Sequence, residues 1–251
     1  MNEILMKLKE EAKTFLGQRL PKFYSDLSSE LNYAKKLFFE HPLIRRCQED
    51  VIPFIKDQFG HGVEHAKKVA IEAGAIVLAE SFTQHTRDTK HLVLLAELAG
   101  LLHDICRLEE DHATKGAILS RKILKNFPLS PEDIEVIAFA IENHEAFQKR
   151  VVANDFVKDI VSDSLYDADK FRWGPDNFAT TLWEICDYMR WDLKTIVERF
   201  PKGLEIINSI KDSFRTVTGQ IYGPEFIEIG IEVGNYIYRR LKEIIYAKKN
   251  D

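Results

Sequence analysis

The stretch Leu98-Ala99-Gly100-Leu101-Leu102-His103-Asp104-Ile105-Cys106-Arg107 decides how the chain is read, because an apolar run ends abruptly in two adjacent metal-type side chains. Upstream of it, from His91, every helical face is apolar except at Glu97, the pattern of a helix inside the core rather than on its surface. A buried carboxylate or imidazole without a partner costs roughly several kcal/mol, and a divalent cation is one common partner. The His103-Asp104 pair is therefore expected to belong to a site carried by a rigid, buried helix.

Around this centre the chain reads as helices throughout. At 251 residues, 45% of them hydrophobic, it can bury a full core as one domain. A formal net charge of -5 supplies no overall basic field and argues against nonspecific binding along nucleic acid. Cys47, Cys106 and Cys186 are odd in number and far apart, so neither a disulfide framework nor a Cys-x-x-Cys zinc pair is expected. The first residues alternate charge with apolar side chains and lack a signal-peptide core. No later stretch approaches an uninterrupted membrane span, so a cytoplasmic protein is expected.

Towards the N-terminus, helical spacing covers Asn2 to Leu16 with a stop at Gly17, then Phe23 to Phe39, and Leu43 to Phe59 with a bend near Pro53. Gly60 and Gly62 mark a turn, and a helix from Glu64 to about Ala79 carries His65 near its beginning, four residues after His61. The polar stretch Ser81 to Lys90 reads as a loop, and its His85 is given no role. Beyond the central stretch, Asp111 or His112 opens another helix, in which Gly116 and Ala117 permit close packing. Ser130-Pro131-Glu132-Asp133 is a helix start, with Ser130 as cap, and the helix is expected to run to about His144. A helix from about Asp155 ends in Tyr166-Asp167-Ala168-Asp169-Lys170-Phe171. Its two aspartates point to different sides, so at most one is a direct ligand.

The C-terminal part reads as a helix capped by Asp176, a stretch broken at Pro201 that resumes towards Gly219, and a last helix from about Glu225 to Tyr246. Gly230 and Gly234 look like points of close helix contact, within the chain or between copies. There is no strand alternation, phosphate-type glycine loop or internal repeat.

Taken in order, His65, His103, Asp104, His112, His144 and Asp169 form a set of imidazoles and carboxylates without thiolates. That order, with His-Gly-Val-Glu-His-Ala-Lys-Lys-Val before the His-Asp pair and Asp-Ala-Asp-Lys-Phe after it, resembles the HD-domain superfamily. The resemblance implies an all-α, HD-domain-like helical bundle with extra N- and C-terminal helices. Residues 1–56 would be a helical extension packed on the core, 57–175 the HD domain core, and 176–251 helices completing the same globule. Matching to the family motifs makes His65 rather than His61 the upstream ligand and Asp169 rather than Asp167 the last. His112 and His144 look like the additional histidines of dinuclear HD proteins. The residues after His144 lack the His-His-Glu and Gly-Tyr-Pro signatures of HD-type cyclic-dinucleotide hydrolases.

The resemblance further implies one or two divalent ions (Fe, Mn, Co, Ni, Mg or Zn) and hydrolysis of a small phosphoester, such as a nucleotide or related metabolite. Metal coordination brings the pKa of water towards neutrality, and Asp104 would bridge two ions if two are present. Arg107, Lys115, Lys170 and Arg172, close to the ligands in sequence, are candidates to neutralise phosphoryl oxygens, with Lys115 also a catalytic candidate. His61 would donate a proton to the leaving oxygen or support His65. Two other readings stay open: a dinuclear iron oxygenase on an HD scaffold, and a non-catalytic, metal-bound ligand sensor. Homo-oligomerisation also remains open.

Overall fold

The computed structural model describes residues 3–55, 60–82 and 88–250. Among them are twelve α-helices and no strand: α1 (Glu3–Leu16), α2 (Phe23–Asp26), α3 (Ser28–Glu40), α4 (Pro42–Val51), α5 (Val63–Phe82), α6 (Thr89–Leu102), α7 (His112–Leu124), α8 (Pro131–Glu142), α9 (Phe156–Lys170), α10 (Leu182–Tyr188), α11 (Leu193–Ser209) and α12 (Val217–Asn250). Most of the loop expected over 81–90, with His85, and residues 57–59 before the first glycine turn lie outside the described residues. No described helix is long and apolar enough to cross a membrane.

The centre is built from α5 to α9. Helix α6 starts where Asp88 accepts a hydrogen bond from the His91 amide, and every residue from Leu92 to Leu102 is buried. It packs most extensively on α5. Their backbones come so close at Gly100 that a Cβ there would lie 2.5 Å from the Ala70 Cα, so this crossing tolerates no side chain. Helix α9 lies on α5, α6 and α8, while α7 pairs with α8. Around this centre α3 and α4 cover α5 and α6, and α1 and α11 pack on the long α12. The buried apolar side chains, from Leu5 through Leu95 and Ile141 to Leu241, form one connected cluster. Gly230 meets the Gly174 backbone and Gly234 meets Phe178, so both close approaches are made within the chain.

Several boundaries differ from those read in the sequence, each for a physical reason. The segment expected over Phe23 to Phe39 breaks at Leu27, and α4 ends at Val51 in a short 3₁₀ turn around Pro53, which has no N–H to continue the ladder. Ser130 caps α8 in a capping box with Asp133, but the helix stops at Glu142 rather than His144. The His144 ring turns back and donates to the Ile141 carbonyl at 2.6 Å, satisfying an end that would otherwise continue the helix. Asp176 caps no helix. It pairs with Arg172 and Lys68, and the following residues form a π-helical turn, Asn177–Thr181, before α10. Helices α11 and α12 both run through a proline, at Pro201 and Pro224. Each proline costs roughly 3 kcal/mol in a helix interior. The loss is offset where Ile196 and Phe200 before Pro201 and Ile207 after it in α11, and Phe226, Ile227 and Val233 after Pro224 in α12, are buried.

Glu97, the one polar interruption of α6, is completely buried and both its carboxylate oxygens lack a hydrogen-bond partner. Burial raises its pKa to about 10. Tyr33 of α3 is the ionisable group whose own titration it perturbs. The folded protein therefore holds this acid neutral while the unfolded chain ionises near the ordinary glutamate value, and stability is lost as pH rises between the two. Glu97→Gln should remove that dependence. From pH 6 to pH 8 the parent is expected to lose about 3 kcal/mol relative to the variant, read from urea unfolding at the two pH values. Parallel pH profiles would mean that Glu97 is ionised in the fold.

Candidate metal centre

The site is assembled from helix ends. His65 sits in the first turn of α5, His103 and Asp104 directly follow α6, His112 opens α7, His144 lies just beyond α8, and Asp169 is in the last turn of α9. Asp111 adopts a left-handed backbone (φ 55°), which reverses the chain after α6 and delivers His112 back to the cluster. His65, His103, Asp104, His112, His144 and Asp169 are all buried.

Asp104 is the centre of the arrangement. Its Oδ2 lies 3.3 Å from His103 Nε2, 3.6 Å from His65 Nε2 and 2.7 Å from His61 Nδ1. Its Oδ1 faces the other way, 3.6 Å from His144 Nε2 and 3.7 Å from His112 Nε2. Asp169 Oδ1 closes the first set, 3.3 Å from His65 Nε2 and 3.7 Å from His103 Nε2. Three overlapping groups, His61/His65/Asp104, His65/His103/Asp169 and His103/Asp104/His144, each place their ligating atoms within 4.8 Å of one another.

The outer nitrogens fix which ring atoms are free to ligate. His103 donates through Nδ1 to the Gly100 carbonyl at 2.8 Å, and His144 does so to the Ile141 carbonyl. Glu145 Oε1 stands 3.0 Å from His112 Nδ1. For His144 this leaves the Nε2 lone pair turned towards Asp104, whereas His112 Nε2, 3.7 Å from Asp104 Oδ1, accepts from Arg107 Nη1 at 3.1 Å. His65 and His103 bring their Nε2 atoms to 3.1 Å, and Asp104 Oδ1 is buried without a hydrogen-bond partner. Groups packed this closely, with a carboxylate oxygen left unpartnered, call for positive charge among them, and this set of imidazoles and carboxylates fits a divalent ion.

The protonation states agree. Burial lowers the His65 pKa to about 4, and burial together with His144 lowers that of His112 to about 4. Burial opposes charge on Asp104 and Asp169 too, but His103 beside the first and Lys170 beside the second hold both well below the carboxylate range. His103 is the exception: burial works to lower its pKa, and Asp104 with Asp169 outweigh it and raise it to about 10. The two aspartates thus hold on His103 the positive charge that a cation would otherwise supply.

The cluster forms the floor of a cleft of about 550 Å³. Among the four candidate phosphoryl-binding cations, Arg107 lines this cleft with Nη1 3.1 Å from His112 Nε2, and has no carboxylate partner among the described residues. Lys170 and Arg172 also line it, but both are engaged: Lys170 Nζ lies 2.5 Å from Asp169 Oδ2, and Arg172 is paired with Glu72 at 2.5 Å and with Asp176. Lys115 lies outside the cleft, nearly half exposed and 3.2 Å from Glu109, so its surroundings give it no contact with a ligand there. His61 contacts Asp104 and lies tilted against His65, ring centres 4.5 Å apart. Asp167 is kept from the cluster by hydrogen bonds from the Arg215 and Thr216 amides and the Thr216 hydroxyl.

Glu145 and the Glu72–Arg172–Tyr24 group were not read from the sequence. Glu145 directly follows His144, and that adjacency was its only signal. A groove of about 660 Å³ also lies where the N-termini of α6, α8 and α9 meet. Its amides are already capped by Asp88, Ser130 and Asp155, and its His91 is paired with Asp133 at 2.7 Å.

What fold and site together define is an all-α protein with a buried His/Asp cluster suited to a divalent metal. No family model matches the chain, and neither curated proteins nor solved structures yield a match.

Proposed function

We propose that the protein is a metal-dependent phosphohydrolase of the HD type, acting on a small phosphoester. The observation that carries this reading is the division of Asp104, one oxygen towards His65 and His103 and the other towards His112 and His144, beneath a cleft that contains Arg107. His65, His103, Asp104 and Asp169 would hold one ion, and Asp104, His112 and His144 a second. A bound divalent ion supplies Lewis acidity towards a phosphoryl oxygen and makes a water molecule acidic enough to be a nucleophile near neutral pH.

The chain's own side chains supply the rest. Arg107 offers its guanidinium to the non-bridging phosphoryl oxygens. Glu145 keeps His112 in one tautomer, and His61 fixes Asp104 through Oδ2 while its other ring nitrogen can carry a proton towards the leaving oxygen. Lys170 orients Asp169 rather than the substrate.

The test begins with metal content in protein purified without oxygen or chelator, followed by phosphoester hydrolysis with and without oxygen. Two ions per chain and oxygen-independent release of phosphate are expected. Turnover that requires oxygen would favour the dinuclear iron oxygenase, and ligand-induced stabilisation without any product would favour a sensor.

A further inference from the structure

The wall of the cleft beyond the His/Asp cluster differs chemically from its floor. Phe147, Trp173, Ile185, Tyr188 and Met189 line it. The polar groups among them are neutral, Asn177 and Thr181, apart from Glu145, whose negative charge would repel an extended anion. The remaining cations of the cleft, Lys170 and Arg172, are held by Asp169, Glu72 and Asp176. The cleft is thus equipped for about one phosphoryl group at its floor, and for an apolar, flat group above it.

Phe147 is the clearest sign of how that flat group is received. It lies three residues after His144 with a left-handed backbone (φ 65°), a conformation that bulky L-residues rarely adopt. The residue is 64% exposed rather than packed into the core, and its ring meets Trp173 edge to face, centroids 5.8 Å apart. An aromatic side chain held out at a cavity wall by an unfavourable backbone contributes little to folding. It does offer a π-surface next to the place where a phosphoryl group would sit.

We infer that the cleft selects a monophosphate or phosphodiester whose leaving group carries an aromatic ring, seated against Phe147 and Trp173, over polyphosphates and over small aliphatic esters. This deepens the phosphohydrolase reading and rests on it for the identity of the polar end. The ring would exclude water from the floor of the cleft while Arg107 and the cluster hold the phosphoryl group.

The experiment uses the full chain loaded with metal and two matched, non-hydrolysable probes, benzylphosphonate and ethylphosphonate, whose dissociation constants are measured by calorimetry. Hydrolysis of benzyl phosphate, ethyl phosphate and inorganic triphosphate is followed in parallel. Benzylphosphonate should bind about tenfold more tightly than ethylphosphonate. Phe147→Tyr should retain that preference, and Phe147→Ala should reduce it to about twofold or less without weakening ethylphosphonate. Phe147→Gly should lose the preference in the same way while melting no lower than the parent, because glycine accepts the left-handed backbone without strain.

Equal affinities for the two probes, loss of affinity for both in Phe147→Ala, or faster turnover of triphosphate than of benzyl phosphate would overturn the ring subsite. Hydrolysis of both esters without a binding preference removes the subsite and leaves the hydrolase. Preferential binding of benzylphosphonate with no ester hydrolysed keeps the subsite and removes the hydrolase. Binding of neither probe removes both.

Discussion

Asp104→Ala is expected to abolish specific metal binding and to lower phosphoester turnover by at least about a thousandfold. Both halves of the cluster use this carboxylate: Oδ2 completes the set with His65, His103 and Asp169, and Oδ1 is the oxygen shared with His112 and His144. Its removal therefore costs two ions where His112→Ala or His144→Ala should cost one. The readout that separates a ligand from a merely structural residue is thermal. Oδ2 pairs with His61 and holds the charge on buried His103, so the metal-free variant should melt below the metal-free parent. The stabilisation gained by adding metal should disappear. An Asp104→Ala protein that still holds two ions per chain would sink the dinuclear assignment.

Arg172→Met should destabilise the fold by about 3–5 kcal/mol, the cost of leaving a buried partner charge uncompensated. The guanidinium is buried between Glu72 at 2.5 Å and Asp176, with the Tyr24 hydroxyl 3.3 Å away. Glu72 is itself buried and accepts from Tyr24 at 2.7 Å. Burial raises the Glu72 pKa, and Arg172 opposes that rise. Once Arg172 is gone, the tyrosine hydroxyl and the more distant charge of Lys68 are left to support the carboxylate. The double variant Glu72→Gln with Arg172→Met should recover much of the loss, since no unpaired charge then remains inside. The same experiment distinguishes a role in substrate binding. If Arg172 gripped a phosphoryl group, Arg172→Met would raise KM with little change in urea stability, and the double variant would recover nothing.

The contrast between Arg172 and Asp104 shows what a sequence can and cannot disclose here. The run ending at His103-Asp104 is legible because its meaning is local. Apolar side chains on every face specify a buried helix, and the two polar residues at its end must then be inside as well. The Ser130 cap is legible for the same reason, since a capping box spans four residues. Arg172 lies three residues from Asp169, and proximity in sequence suggested a contact with substrate. Its actual partner, Glu72, is a hundred positions away on α5, and no periodicity connects the two. Lys170 was misleading in a similar way, being close to the site but already committed to Asp169. Pro201 of α11 suggested a break because the local cost of a missing N–H is plain, whereas the long-range burial that outweighs it is not. Phe147 was not singled out, because a left-handed backbone at a phenylalanine has no signature in composition or spacing.

Asp167 has a consequence for how much chain is needed to make the site. Its carboxylate, two residues before Asp169, accepts the amides of Arg215 and Thr216 and the Thr216 hydroxyl, and Gly219 sits so close that a Cβ would lie 2.0 Å from Oδ2. The end of α9 is thereby moored to the beginning of α12. A fragment excised at residue 175 would contain every histidine and aspartate of the recognisable motif, yet it would release this mooring and expose a buried carboxylate next to Asp169. The smallest transferable unit is therefore longer than the motif that advertises it, extending at least through Gly219.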